Sequence, residues 1–348
     1  MAFEEFAVFG AGAIGSVLGA YLSRAGRDVT LIDLWAAHVD AMQQRGLTVT
    51  APDEEFTVQV KAVHLADVCR LREEFDAVIL AVKSYDTEWA ARCITPHLAP
   101  AGVLVSAQNG INEDVLAPLL GSPRIVGCVV TLGAGLYEPG HVTRTTAASR
   151  PSLVLGELHG LVTARLRDLV GVLSPVGPTR TTANLWGERW AKLIVNSMAN
   201  PIAGITGLGS AELRANPEAF PILVRIACEA LTVAEALGVQ VEPVGDIPGQ
   251  AYLDAGRGVR LQELRDKLIE GGRSLGAGRP SLAQDVAKGR RTEVDALNGY
   301  VALKGREVGV PTPMNEAVVQ LVKGVEAGAV PPSPANLALL RPHLAGDC

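Results

Sequence analysis

An apolar run, Phe6-Ala7-Val8-Phe9, leads directly into Gly10-Ala11-Gly12-Ala13-Ile14-Gly15, and this junction restricts the chain more than any other stretch. Consecutive apolar residues without polar alternation suit a strand buried on both faces, as in a parallel sheet covered by helices. Helical periodicity then runs to about Ala25, Gly26 stops it, and Val29-Thr30-Leu31-Ile32-Asp33 reads as a second strand. The unit is therefore βαβ. In a Gly-x-Gly-x-x-Gly turn the first glycine allows the tight bend, the second admits a pyrophosphate close to the backbone, and the third lets helix and strand pack closely. The free N–H groups and positive dipole end of the helix stabilise the anion. Asp33 stands where an acid accepts hydrogen bonds from an adenosine ribose, about 20 residues beyond the glycines. Gly10, Ala11, Gly12, Ala13, Ile14, Gly15 and Asp33 are thus candidate dinucleotide-binding residues.

Asp33 also bears on which dinucleotide is bound. A carboxylate facing the ribose 2′ position repels the extra phosphate of NADP, so NAD is favoured over NADP. The competing reading makes Asp33 a solvated strand end, with Arg24, Arg27 or Arg45 reaching a phosphate. FAD sites begin with the same glycine pattern, so the motif leaves that cofactor open.

Further apolar runs at 77–82, 102–106 and 124–130 alternate with helical stretches at 87–97 and 112–120, which extends the reading to a doubly wound, mostly parallel sheet. Residues 142–182 look β-like and turn-rich, with Pro151, Pro175 and Pro178. Beyond Ala183 the pattern is helical: 188 to about 200, 219–237, 261–269, 281–288 and 292–308, with loops at 242–249 and 271–280. The expected class is α/β, an amino-terminal Rossmann-type sheet over 1–183 followed by an all-helical domain over 184–348. A chain of 348 residues exceeds what one core usually holds, which agrees with two domains.

A formal charge of −6 and the lack of a Lys/Arg cluster argue against nucleic acid as a partner. The five cysteines, Cys69, Cys93, Cys128, Cys228 and Cys348, are odd in number and never form a C-x-x-C pair, which fits reduced thiols in a cytoplasmic protein and no metal site. No export signal precedes the first strand, and no apolar run reaches the roughly 20 residues that span a bilayer. An apolar helix face in the second domain would suit a homodimer.

In the helical half, Lys192, Asn196 and Asn200 recur every four residues and share one helix face. Flanked by Leu193, Ile194, Val195 and Met198, they form a polar strip in an apolar surface. A partly buried lysine with a lowered pKa can protonate the alkoxide that forms when hydride reaches a ketone carbon. The same spacing also describes a surface helix with a snorkelling lysine, and spacing does not choose between them. Further on, Ser281 is well placed as a helix N-cap, and Glu293 falls in the first turn of a helix, where the dipole favours a carboxylate. His141 lies in a Pro-Gly-His turn and reads as structural.

The ordered set of these motifs resembles the ketopantoate reductase, or 2-dehydropantoate 2-reductase, family over nearly the whole chain. The resemblance is carried by Gly10 to Gly15, Ala81-Val82-Lys83-Ser84, Gln108-Asn109-Gly110, the Lys192/Asn196/Asn200-Pro201 helix and the segment from Ser281 to Glu293. It implies reversible reduction of a 2-oxo acid, ketopantoate to pantoate, by a nicotinamide dinucleotide. By the same resemblance Lys192 is the general acid, Glu293 is catalytic and also places cofactor and substrate, and Lys83 contacts the cofactor. Asn109 would touch both cofactor and substrate, while Asn196, Asn200 and Ser281 would bind substrate. Two departures stand out: Asp33 replaces the basic residue of NADPH-using members, and Ser210 takes the place of a substrate-binding Asn. These leave open an NAD-dependent enzyme of the same family acting on another 2-hydroxy acid, 3-hydroxy acid or secondary alcohol. A dinucleotide-sensing module without turnover is the reading from a different class.

Overall fold

The computed structural model describes residues 3–273 and 280–345, in two compact units, Met1–Leu185 and Trp186–Cys348. In the first unit the strands are β1 (Glu5–Phe9), β2 (Asp28–Asp33), β3 (Leu47–Thr50), β4 (Glu55–Val58), β5 (Lys61–His64), β6 (Phe75–Leu80), β7 (Leu98–Ser106), β8 (Ile125–Val130), β9 (Ala134–Glu138), β10 (His141–Arg144), β11 (Leu153–Glu157) and β12 (Thr179–Thr182). Its helices are α1 (Ala13–Arg24), α2 (Ala36–Arg45), α3 (Thr87–Ile94), α4 (Glu113–Leu120) and α5 (Ala164–Leu173).

Eight strands form one sheet in the order β12-β11-β8-β7-β6-β1-β2-β5, parallel throughout except where β11 meets β8. Alternate side chains of each central strand feed opposite cores. Phe6 and Val8 of β1, with Ala77 and Ile79 of β6, join α1 and α5 on one face; Ala7, Phe9, Val78 and Leu80 join α3 and α4 on the other. A strand buried on both faces has no polar side to present, which explains the unbroken apolar runs. From β1 the chain steps outward to β2 and β5, then returns to build β6, β7 and β8 on the other side. The order reverses between β1 and β6, the place where such sheets bind ligands at the carboxyl ends of their strands.

A second sheet, β4-β3-β10-β9, packs on α1 and has no counterpart in the sequence reading. Its strands are short and partly exposed, so they lack the apolar runs that mark the main sheet. The turn-rich stretch 142–182 likewise contains a helix, α5, capped by the Thr163 hydroxyl on the N–H of Leu166. His141 lies on β10, with its Nε2 at 2.8 Å from the Thr50 hydroxyl.

The second unit is helical: α6 (Leu185–Thr206, which starts on the last residue of the first unit), α7 (Ser210–Ala215), α8 (Ala219–Ala236), α9 (Gly249–Gly256), α10 (Leu261–Arg273), α11 (Ser281–Ala287), α12 (Asn298–Val308) and α13 (Pro313–Glu326). Three expectations are corrected here. First, α6 continues through Pro201 instead of stopping at Asn200. An internal proline costs about 3 kcal/mol, but Ile202 and Ile205 beyond it are each 0% exposed, and burying each contributes about 1.5–3 kcal/mol. Second, the helix expected over 292–308 is a short 3-10 turn, Val294–Ala296, broken at Leu297 before α12. Glu293 therefore precedes that turn as its N-cap position and is not in a helical first turn. Third, Gly271 and Gly272 belong to the end of α10 and not to a loop. The Gly276-Ala277-Gly278 run and Cys348 lie outside the described residues.

Behind these helices the Glu229 carboxylate accepts hydrogen bonds from the N–H groups of Met314 and Asn315, anchoring the start of α13 on α8. Among the described residues no helix is long and apolar enough to cross a membrane.

Candidate active site

The carboxyl ends of β1, β2, β6 and β7 bring one group of candidate residues together. Gly10 turns with φ +97°, and a Cβ there would lie 2.9 Å from the Val82 nitrogen, so the turn is pressed against the loop that follows β6. That loop starts earlier than the sequence suggests: β6 ends at Leu80, and Ala81-Val82 form the wall beside Gly10. A Cβ on Gly15 would sit 2.0 Å from the Gly10 carbonyl oxygen, so α1 can begin this close to β1 only without one. At Gly12, by contrast, a Cβ would meet nothing within 4 Å. Gly12 is the N-cap of α1 and no side chain caps the helix, so the N–H groups of Ala13, Ile14 and Gly15 face the open space beside Gly12. Space next to uncapped N–H groups fits a pyrophosphate.

Asp33 ends β2. One carboxylate oxygen accepts from the Trp35 N–H at 2.8 Å, and the other has no partner among the described residues. Arg24, a rival phosphate ligand on sequence grounds, is bound to Glu54 at 2.5 Å and lies over the Phe56 ring. Lys83 and Asn109 stand in the loops after β6 and β7, which are tied to each other. The Asn109 carbonyl accepts from the Ser84 hydroxyl at 2.9 Å and from the Asn112 amide at 2.8 Å. Gln108 donates to the Val82 carbonyl at 3.0 Å and the Thr87 hydroxyl at 2.8 Å. These bonds make the two loops one rigid rim; the Gln108-Asn109-Gly110 motif and Ser84 are visible in sequence, but the partners Thr87 and Asn112 are not.

The Ala11 end of the glycine turn is held from below by a relay that sequence reasoning missed. The Ser16 hydroxyl donates to the Ala11 carbonyl at 2.7 Å, His38 Nε2 lies 3.2 Å from that hydroxyl, and His38 Nδ1 accepts from the Gly140 N–H at 2.9 Å. Since Nδ1 accepts, the ring is neutral with its proton on Nε2. Burial lowers the His38 pKa, outweighing the nearby Asp33 charge that raises it. The stability this neutral ring contributes is fully present above about pH 6.5, the value for an unfolded histidine, and drains away as pH falls from there through the lower folded value. The urea midpoint of the wild type should therefore fall as pH drops below about 6.5, and His38→Gln should flatten that slope. An unchanged slope would remove His38 from the relay.

In the second unit, Lys192, Asn196 and Asn200 occupy one face of α6, with the two amides 5% and 8% exposed. Among the described residues neither the Lys192 ammonium nor the Asn200 amide has a hydrogen-bond partner within the protein. Burial lowers the Lys192 pKa, and the positive charge of Arg214 lowers it further. A snorkelling surface lysine would show no such depression. Ser281 is brought to α6 by close packing: a Cβ on Gly204 would lie 2.3 Å from Leu282, one residue along α11 and one turn beyond Asn200. Pro280, not Ser281, occupies the N-cap of α11, so the Ser281 hydroxyl caps nothing. Glu293, 4% exposed, is carried on the segment whose Asn298 amide donates to the Ser197 carbonyl of α6 at 3.2 Å.

Ser210 begins α7, and one turn later Arg214 folds back so that Nη1 lies 3.4 Å from the Ser210 carbonyl. Burial lowers the Arg214 pKa, which the neighbouring Tyr252 partly offsets. Tyr252, on α9, is buried, its hydroxyl donating to the Val244 carbonyl at 3.2 Å, and burial pushes its pKa up. Arg214 and Tyr252 were not singled out from sequence. Arg214 lies just past Ser210 in the Ala-Glu-Leu-Arg stretch, whereas nothing in the sequence marks Tyr252.

The two halves of the chain match two consecutive family models, Ketopantoate reductase PanE/ApbA over residues 6–160 and Ketopantoate reductase PanE/ApbA C terminal over 184–326. The 2-dehydropantoate 2-reductase of Archaeoglobus fulgidus is 30% identical over 331 residues, covering 94% of this chain and 100% of that protein. The Mesorhizobium japonicum protein of the same name is 30% identical, with 93% and 99% covered. Among solved structures, a PanE/ApbA family ketopantoate reductase from Ralstonia eutropha superposes with a TM-score of 0.77 at 29% identity, covering 93% of this chain and 99% of the other. A D-mandelate dehydrogenase bound to NADH and anilino(oxo)acetate superposes with a TM-score of 0.80 at 26% identity and the same coverage. With both halves matched in order and curated relatives aligned end to end, the chain belongs to the ketopantoate reductase family.

Proposed function

We propose that this chain is a nicotinamide-dependent oxidoreductase that reduces a 2-oxo acid, ketopantoate, to its 2-hydroxy acid, using NAD in preference to NADP. The observation that carries the reading is Lys192, a lysine with a depressed pKa, no hydrogen-bond partner among the described residues, and two amides on its own helix face. Family membership supplies the reaction class, and the curated relatives are named for ketopantoate reduction. The open face at Gly12, the uncapped start of α1 and the unused Asp33 oxygen would hold pyrophosphate and ribose, with Lys83, Asn109 and Glu293 completing the cofactor contacts. The bound nicotinamide supplies the hydride.

The protein's own work is to place and charge the other reactant. Asn196, Asn200, Ser210, Ser281 and Asn109 would orient the substrate's oxygens, with Glu293 assisting. Lys192 delivers a proton to the carbonyl oxygen as negative charge develops there, and in the reverse direction its neutral amine accepts the hydroxyl proton. A lowered pKa suits both directions, because it makes the ammonium a better proton donor and the neutral amine easier to reach.

Initial rates with ketopantoate and a panel of other 2-oxo acids, each with NADH and NADPH, test the reading. Ketopantoate should have the highest kcat/KM, and NADH should exceed NADPH by about tenfold or more, the effect of one unfavourable charge contact worth roughly 1.4 kcal/mol. Asp33→Arg should invert the preference. Turnover of another acid with ketopantoate inert would remove the substrate, and equal use of both cofactors would remove the NAD preference.

A further inference from the structure

We propose that Arg214 binds the carboxylate of the 2-oxo acid while Lys192 serves the neighbouring carbonyl oxygen, an inference that rests on the reading of Lys192 above. Arg214 and Lys192 are close enough for one charge to act on the other, and both are only partly exposed. Among the described residues neither has a carboxylate partner. Burying two like charges without a counter-ion is costly, and an anionic ligand relieves that cost.

Among the described residues, Tyr252 and Glu212 beside Arg214 do not supply the missing charge. Tyr252 donates its hydroxyl proton to the Val244 carbonyl and, with its pKa raised, stays neutral. Glu212 turns the other way, accepting from the Gly209 N–H at 2.9 Å to close the start of α7. Among the described residues the guanidinium makes one hydrogen bond, the 3.4 Å contact to the Ser210 carbonyl, which leaves most of its five N–H donors for a ligand. That contact also draws the guanidinium back beside Ser210, the position where the family resemblance places a substrate hydrogen bond. Gly272 of α10 supports the stem, since a Cβ there would lie 3.0 Å from the Arg214 Cδ.

A planar fork fits a carboxylate in two parallel hydrogen bonds, which an ammonium cannot reproduce. A 2-oxo acid carries its carboxylate on the carbon next to the ketone, so two adjacent cations match its two oxygen-bearing groups. Neutralising Arg214 with the substrate carboxylate also removes the charge that disfavours protonated Lys192. The substrate thereby helps to load the acid that will protonate it.

The test compares a 2-oxo acid with its primary amide, which keeps the ketone and loses the charge. In Arg214→Gln, kcat/KM for the acid should fall by about 30-fold or more, chiefly through KM, while that for the amide changes by less than about threefold. Arg214→Lys, which keeps the charge but not the fork, should raise KM for the acid by about tenfold; it serves equally if the glutamine variant does not fold. A wild type inert towards every 2-oxo acid overturns the underlying reading and this inference together. An active wild type whose variants keep its KM and its acid-to-amide ratio overturns the inference alone.

Discussion

Lys192→Ala should slow turnover by at least about a hundredfold, the usual scale for loss of a general acid, while dinucleotide affinity stays within about a factor of two. The two effects separate because the glycine turn and Asp33 belong to one unit and Lys192 to the other. Alanine is the best helix former, and position 192 lies inside a helix of 22 residues, so α6 should persist. Stability should not suffer. A lysine whose folded pKa lies below its unfolded value binds fewer protons when folded, so its contribution to stability rises with pH and is unfavourable at neutrality. Removing it should leave the thermal midpoint unchanged or slightly higher. In the wild type, the reductive rate should decline as pH rises through the lowered Lys192 pKa, whereas the oxidative rate should increase over the same range. The alanine variant should lack both limbs. Near-normal turnover in a folded variant, or pH limbs that persist without the lysine, would take the acid role away from Lys192.

A second large effect should come from two glycines three residues apart whose substitutions fail in opposite ways. Gly15→Ala should destabilise the protein by more than about 4 kcal/mol, because its methyl would lie 2.0 Å from a backbone carbonyl that cannot move without opening the β1–α1 junction. Gly12→Ala should cost about 0.5 kcal/mol or less, since its methyl meets nothing and the backbone angles suit any residue. That methyl would nonetheless occupy the space where we propose the pyrophosphate binds, and dinucleotide affinity should fall by about a hundredfold or more, roughly two charge-assisted hydrogen bonds. Urea denaturation and cofactor titration on the two variants separate the outcomes. A Gly12→Ala protein that binds the dinucleotide normally would show that the phosphate does not approach the turn there.

The glycine turn, the apolar strands of the main sheet and the four-residue spacing of Lys192, Asn196 and Asn200 were all legible in the chain. Each is a local pattern, set by backbone geometry within one or two elements, and local patterns survive in one dimension. Asp33 was legible for the same reason, lying a fixed distance along a single βαβ unit. The second sheet was not, because β3 pairs with β10 some 90 residues away and its four strands are too short and exposed to show periodicity. The end of α6 was misread because proline's local cost was outweighed by burial of Ile202 and Ile205, a quantity that depends on what packs over them. Ser281 and Glu293 were identified as residues but placed in the wrong part of their helices, since one residue of offset at a helix start is decided by the cap and not by composition.

The charge state of the site lay furthest from the sequence. Spacing could show that Lys192 shares a face with two amides, but it left open whether that face is wet or buried. Burial of the lysine, the second cation at Arg214 and the neutral Tyr252 beside it come from residues on three separate helices, α6, α7 and α9. The chain order thus specifies the glycine turn, while the lowered pKa of the lysine emerges only from tertiary packing, because desolvation depends on everything nearby and a sequence motif contains only its own residues.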